Sequence, residues 1–175
     1  MKKIFNQRFA TGLVAITVSL LSQAQDLAIQ TKFKVQPASS ASYESNKAPL
    51  SLSQVNARVL RHFNRHYSEV SAPRWFKTEK GFAVRFEKGP INSTVFYTSQ
   101  GYVNSQINYY TEDQLPAAVR HLVKSNFYDY AITHVTEVIK DDVVSRLVKI
   151  AKGNLLKTIK VIDGEWEIME EFEKN

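Results

Sequence analysis

Two stretches about sixty residues apart follow one pattern, SQVNARVLRHFNRHY at 53–67 and DQLPAAVRHLVKSNF at 113–127. Val55, Val59, Phe63 and Tyr67 in the first correspond to Leu115, Val119, Val123 and Phe127 in the second, at i, i+4 spacing. That spacing gathers apolar side chains into one stripe of an α-helix, with Val119 central in the second stripe. Ser53 and Asp113 open the two stretches, where a side-chain oxygen can accept a hydrogen bond from an amide of the first turn. Asn56 and Pro116 occupy equivalent positions, and proline is tolerated there because a first-turn N–H has no partner within the helix. A chain that writes this helix twice must bury two apolar stripes.

The segments after each helix supply the other layer. Trp75 within 72–77, apolar–polar alternation at 81–87, the Val, Phe, Tyr and Thr content of 93–98 and the turn before 102–110 predict four strands after the first helix. The same order predicts strands at 131–140, 143–150, 155–162 and 165–172 after the second. Gly89-Pro90, Gln100-Gly101, Lys152-Gly153-Asn154 and Asp163-Gly164 mark turns, and Asp-Gly suits a two-residue hairpin in which both positions take positive φ. Connections this short make the strands antiparallel. The expected architecture is therefore α+β, with two tandem α-β-β-β-β repeats forming an antiparallel sheet and helices packed on one face. Trp75, Phe82, Val84, Phe86, Val95 and Tyr97, with Val135, Val148, Ile150, Ile159 and Val161, form the expected helix-facing set.

The N-terminus has a different character. MKKIFNQR is a basic start followed by mostly apolar residues 9–21, and small residues Ser22 and Ala24 suit cleavage between Ala24 and Gln25. Residues 1–24 thus read as a signal peptide, since the apolar run is shorter than the roughly 20 residues a membrane span needs. Residues 25–50 form a linker rich in Ser, Ala, Pro and Lys, in which 27–35 alternates like a strand that either adds to a sheet edge or stays loose. Residues 51–173 form the folded domain, with repeat one at 51–110 and repeat two at 111–173.

Charge and cysteine content narrow the function. Removing residues 1–24 takes away Lys2, Lys3 and Arg8, so the formal charge falls from +6 to +3, too little for bulk nucleic-acid or anionic-membrane binding. Asp163, Glu165, Glu167, Glu170, Glu171 and Glu173 concentrate negative charge at the C-terminus. The absence of cysteine excludes disulfides, zinc–thiolate sites and a lipid-modified cysteine, so the mature chain carries no expected membrane span and is held by its core.

No catalytic constellation stands out. His62 and His66 have the i, i+4 spacing of a zinc pair but lack a third ligand and the HExxH glutamate, and the helical wheel sets His66 beside the apolar arc and His62 among Arg58, Arg61 and Arg65. These arginines, with Arg120 and Lys124, form solvated ridges. Asp141-Asp142 falls in a turn. No nucleophile elbow or Gly-rich phosphate loop occurs, and no cofactor or metal is expected.

The helix opening LPAAVRHLVKSNF, Trp75 soon after the first helix, and the strand pair GFAVRFEKG and STVFYTSQG, all within a duplicated pattern, resemble the PepSY-like proteins with a β-lactamase-inhibitor-protein-like fold. The resemblance covers about Ser51 to Phe172. It implies tandem αβ4 units, export, no established catalytic centre, and protein binding on an open sheet face.

Aromatic residues point to the same face. Phe76, Phe96, Tyr102, Tyr109 and Tyr110 cannot all face the helices if Trp75, Val95 and Tyr97 do, because neighbouring strand side chains point oppositely. Phe76, Arg85, Phe96 and Thr98 are the expected protein-binding residues; cover by residues 27–35 is the competing account. The sequence thus reads as an exported non-catalytic binding module, an inhibitor or regulator of an extracytoplasmic hydrolase, with a small-ligand carrier or enzyme using the groove between repeats as the alternative.

Overall fold

The computed structural model describes residues 48–174, all within one compact unit, Ser39–Asn175. The signal peptide with its Ala24–Gln25 cleavage point, and the strand expected at 27–35, lie outside the described residues. Helices α1 (Ala57–His66) and α2 (Ala117–Asn126) are each preceded by a short 3-10 turn, Leu52–Gln54 or Glu112–Gln114. After α1 come β1 (Ser71–Thr78), β2 (Gly81–Lys88), β3 (Ile91–Thr98) and β4 (Val103–Tyr110). After α2 come β5 (Ala131–Lys140), β6 (Val143–Lys152), β7 (Leu155–Ile162) and β8 (Glu165–Glu173). The strands make one antiparallel sheet in chain order, with β1 and β8 at its edges.

Both helices start later than the sequence pattern indicates. Ser53 and Asp113 lie inside the 3-10 turns and cap neither α-helix. Asn56 is the true cap of α1: its Oδ1 accepts from the Arg58 amide at 2.8 Å, while its Nδ2 donates to the Ser99 carbonyl at 3.1 Å. One side chain thereby starts the helix and ties it to the β3–β4 turn. Pro116 holds the equivalent position at φ −51°, where ring-fixed φ costs nothing and no N–H is needed.

Strand register explains the two cores. Trp75 pairs with Val84, Val84 with Val95, and Phe82 with Tyr97, so these side chains rise from one face and meet Val55, Val59 and Phe63. Val135, Val148 and Ile159 likewise form a row across β5 to β7 and pack beneath Leu115 and Val123. Every residue of the expected helix-facing set is buried. Val119 is not central, however: it is half-buried at the margin of the second core, whereas Val123, one turn later, is enclosed. The two-residue turns follow local chemistry. Asp163 and Gly164 have φ of 51° and 84°, and Asp141 and Asp142 have 51° and 62°, so the paired aspartates form a hairpin turn.

Candidate protein-binding face and polar seam

The face away from the helices is built by the same register. Phe76 pairs with Ala83, Ala83 with Phe96, and Phe96 with Ser105, forming a row across β1 to β4. Beside it, Arg74, Arg85, Thr94, Ile107 and Val138 make a second row. All four expected binding residues therefore belong to this face, but they are not equivalent. Phe76 is buried, with 5% of its surface accessible, contrary to the expectation that it is exposed. Alanine at 83 leaves room between two phenylalanines, and the Arg85 guanidinium stands 5.3 Å from the Phe76 ring centre. Phe96 and Arg85 are half-buried. Thr98 serves the turn: its Oγ1 accepts from the Tyr102 amide at 3.2 Å.

The other aromatics divide. Tyr109 is half-buried on this face and stacks with His134 at 6.0 Å. Tyr110 points the other way into the second core. Tyr102 is exposed at the β3–β4 turn, with the Arg58 guanidinium 4.3 Å above its ring.

On the helix side, a polar seam missing from the sequence reading crosses the middle of the sheet. Ser93, Asn108, Glu137 and Arg146 are successive cross-strand partners on β3 to β6, set between the two apolar cores. Ser93 Oγ and Gln106 Nε2 each donate to Asn108 Oδ1 at 2.8 Å, and Asn108 Nδ2 donates to Glu137 Oε1 at 2.9 Å. Tyr110 and Arg146 Nε donate to Glu137 Oε2 at 3.0 and 2.8 Å, and Tyr67 donates to Gln106 Oε1 at 2.8 Å. Burial, followed by the Glu137 charge, pushes the Tyr110 phenol up to about 12, so it remains a donor. The polar groups of the seam bond one another and form a connected network between the two cores. Its sequence signal was a polar residue two positions from a core residue on each central strand: Ser93 before Val95, Glu137 after Val135, Arg146 before Val148.

The histidine pair also corrects the wheel. His62, not His66, faces the core: its Nδ1 is 3.1 Å from the buried Tyr97 hydroxyl, and its ring stacks on that of His66 with centres 4.0 Å apart. His66 is exposed, and its Nδ1 donates to the His62 carbonyl at 2.9 Å. Burial, then His66 and Arg65, holds the His62 pKa below its ordinary value. The ridge arginines Arg58, Arg61 and Arg65 are exposed, and Lys124 donates to the Tyr130 carbonyl at 3.1 Å.

The architecture matches solved bacterial structures. A BLIP-like protein from Bacteroides fragilis superposes with a TM-score of 0.52 at 11% identity, over 68% of this chain and 86% of that one. The chain has a BLIP-like fold. A DUF2874 family protein from Bacteroides uniformis superposes with a TM-score of 0.52 at 17% identity, over 68% of this chain and 89% of its own. A protein from Bacteroides eggerthii assigned provisionally to the periplasm matches at 0.51 and 17% identity, over 68% and 88% of the two chains. No family model matches the sequence, and no curated protein does. Among the described residues, no helix is long and apolar enough to cross a membrane.

Proposed function

We propose that the protein is an exported, non-catalytic protein-binding module of the PepSY-like group, built from tandem αβ4 units, that inhibits or regulates an extracytoplasmic hydrolase. The observation that carries this reading is the one-sided packing: both described helices cover the same face of an eight-stranded sheet. The opposite face presents half-buried Phe96, Ile107, Tyr109, Val138 and Leu147 in adjoining rows. Aromatic and aliphatic side chains on a broad rigid surface, with Arg85 among them, have the composition of interface hot spots. The basic start and apolar run within residues 1–24 support export, and the provisional periplasmic assignment of one structural relative is consistent with it. The small-ligand or enzyme alternative would use the groove between the repeats; the mutual satisfaction of Glu137, Arg146, Asn108 and Tyr110 favours binding through the sheet face instead.

The test is partner identification from the extracytoplasmic fraction with the mature chain, followed by affinity measurement with the Phe96→Ala/Tyr109→Ala variant. These half-buried positions replace Phe76, whose burial ties it to the fold. Affinity should fall by about 2 kcal/mol, the size of a hot-spot loss, with the far-ultraviolet circular dichroism and the cooperative melting transition retained. Unchanged affinity for the identified partner rejects this face as its contact surface.

A further inference from the structure

The two sheet edges differ in how they are closed. At β1, Pro73 removes an amide, Ala72 takes φ 47°, the register shifts between Ser71 and Arg74, and the Leu50 amide donates to the Trp75 carbonyl at 2.7 Å. All of these obstruct a further strand. Edge strand β8 instead runs nine residues, has one register shift opposite Thr158/Ile159, and among the described residues has no strand beyond it. It carries Glu165, Glu167, Glu170, Glu171 and Glu173 together with exposed Trp166, Ile168 and Phe172, which are 39, 44 and 56% accessible. Lys160 and Lys157 pair with Glu167 at 2.6 Å and Glu171 at 2.7 Å, balancing two carboxylates and leaving the edge negative. At the β7–β8 hairpin, an open groove of about 420 Å³ is lined by Lys160, Ile162, Asp163, Glu165, Trp166 and Glu167.

We propose that β8 is a second docking site, which binds an extended basic segment of a partner protein as a ninth antiparallel strand. The proposal deepens the protein-binding reading and rests on it. An added strand supplies the missing main-chain hydrogen bonds, its apolar side chains on the helix side cover Trp166 and Ile168, and its lysines or arginines on the other side lay their stems along Ile162 with their cations among Asp163, Glu165 and Glu167. Charge complementarity selects this occupant. A second copy pairing β8 with β8 would oppose glutamate to glutamate, and the β1 edge of another copy is obstructed.

The probe is a labelled ten-residue peptide of alternating lysine and valine, compared with the glutamate-for-lysine peptide and a proline-interrupted one. The lysine peptide should bind the mature chain, slow amide exchange in β8, and weaken as salt screens the charges. Glu165→Gln/Glu167→Gln should reduce its affinity by about tenfold or more while retaining the melting temperature. The Phe96→Ala/Tyr109→Ala variant should bind the peptide normally, which separates this site from the sheet face. Three results would overturn the proposal: no binding up to about 1 mM peptide, protection outside β8, or equal binding of the glutamate peptide. So would peptide-independent β8 protection that grows with protein concentration at neutral pH, since a second copy would then be the occupant. If the identified partner still depends on Phe96 and Tyr109 in any of these cases, only the edge proposal fails.

Discussion

Glu137 accepts from Asn108, Tyr110 and Arg146 while its side chain is only 12% accessible, so the carboxylate replaces much of its hydration with protein donors. Removing Arg146 as methionine should therefore cost about 2 kcal/mol, below the full penalty for a deeply buried pair because Arg146 retains some solvent contact. Changing Glu137 and Arg146 together to methionine should recover part of that loss, because no charge is left without its partner. Denaturant titration of the two singles and the double closes the cycle; a loss in the double equal to the sum of the two single losses would show that the pair is not coupled. His62 sets a second residue-scale expectation. Its folded pKa lies below the ordinary value, so the unfolded chain takes up the proton first as pH falls. Its stability contribution should thus be present above about pH 6.5 and lost as pH falls through the folded value. His134 is displaced the same way by burial and then by Lys149, so His62→Gln should flatten the pH–stability curve only in part.

Helix α2 shows how small phase differences matter at the element scale. Val123 is enclosed and Val119 lies at the margin, although both belong to the same i, i+4 series. Val123→Asp should destabilise by several kcal/mol, because a carboxylate without a partner would enter an apolar core. Val119→Asp should cost clearly less, and Arg61→Asp should remain within about 1 kcal/mol because Arg61 is exposed. Melting curves of the three variants rank the positions; equal midpoints for the aspartates at 119 and 123 would contradict the packing. The start of β2 imposes a different constraint. Gly81 has φ 153°, and a Cβ there would come within 2.2 Å of the Tyr97 carbonyl oxygen, a backbone atom that cannot move without disturbing the β2–β3 ladder. Gly153 also has positive φ, 54°, but a Cβ would meet nothing within 4 Å. Gly81→Ala should therefore destabilise more than Gly153→Ala, whose cost is about 1 kcal/mol of backbone strain.

For the whole molecule, the open edge is the dominant liability. β8 carries five glutamates, with Trp166, Ile168 and Phe172 exposed beside them. Sedimentation should show no β8-mediated association at neutral pH and concentration-dependent association near pH 4, where glutamate charge falls. Replacing Glu165, Glu170 and Glu173 by glutamine should move the onset towards neutral pH, whereas Arg61→Gln should not. Association independent of pH and of these substitutions would place the contact elsewhere.

The sequence alone determined the elements for a local physical reason: helices and strands place side chains at fixed periods, so apolar spacing, together with strand-forming composition and turn residues, identified both helices, the eight strands and every member of the helix-facing set. Asp163-Gly164 announced its hairpin because the required positive φ is a property of those residues. Helix starts were less legible, since the capping Asn56 is also held by a bond to the Ser99 carbonyl, 43 positions away. Likewise, alternation could assign Phe76 and Phe96 to one face but not reveal that Phe76 is buried there. The polar seam and the unequal edges were decided only by tertiary structure: Glu137 becomes the common acceptor, and β8 the open edge, because cross-strand register and sheet termination involve residues distant in sequence.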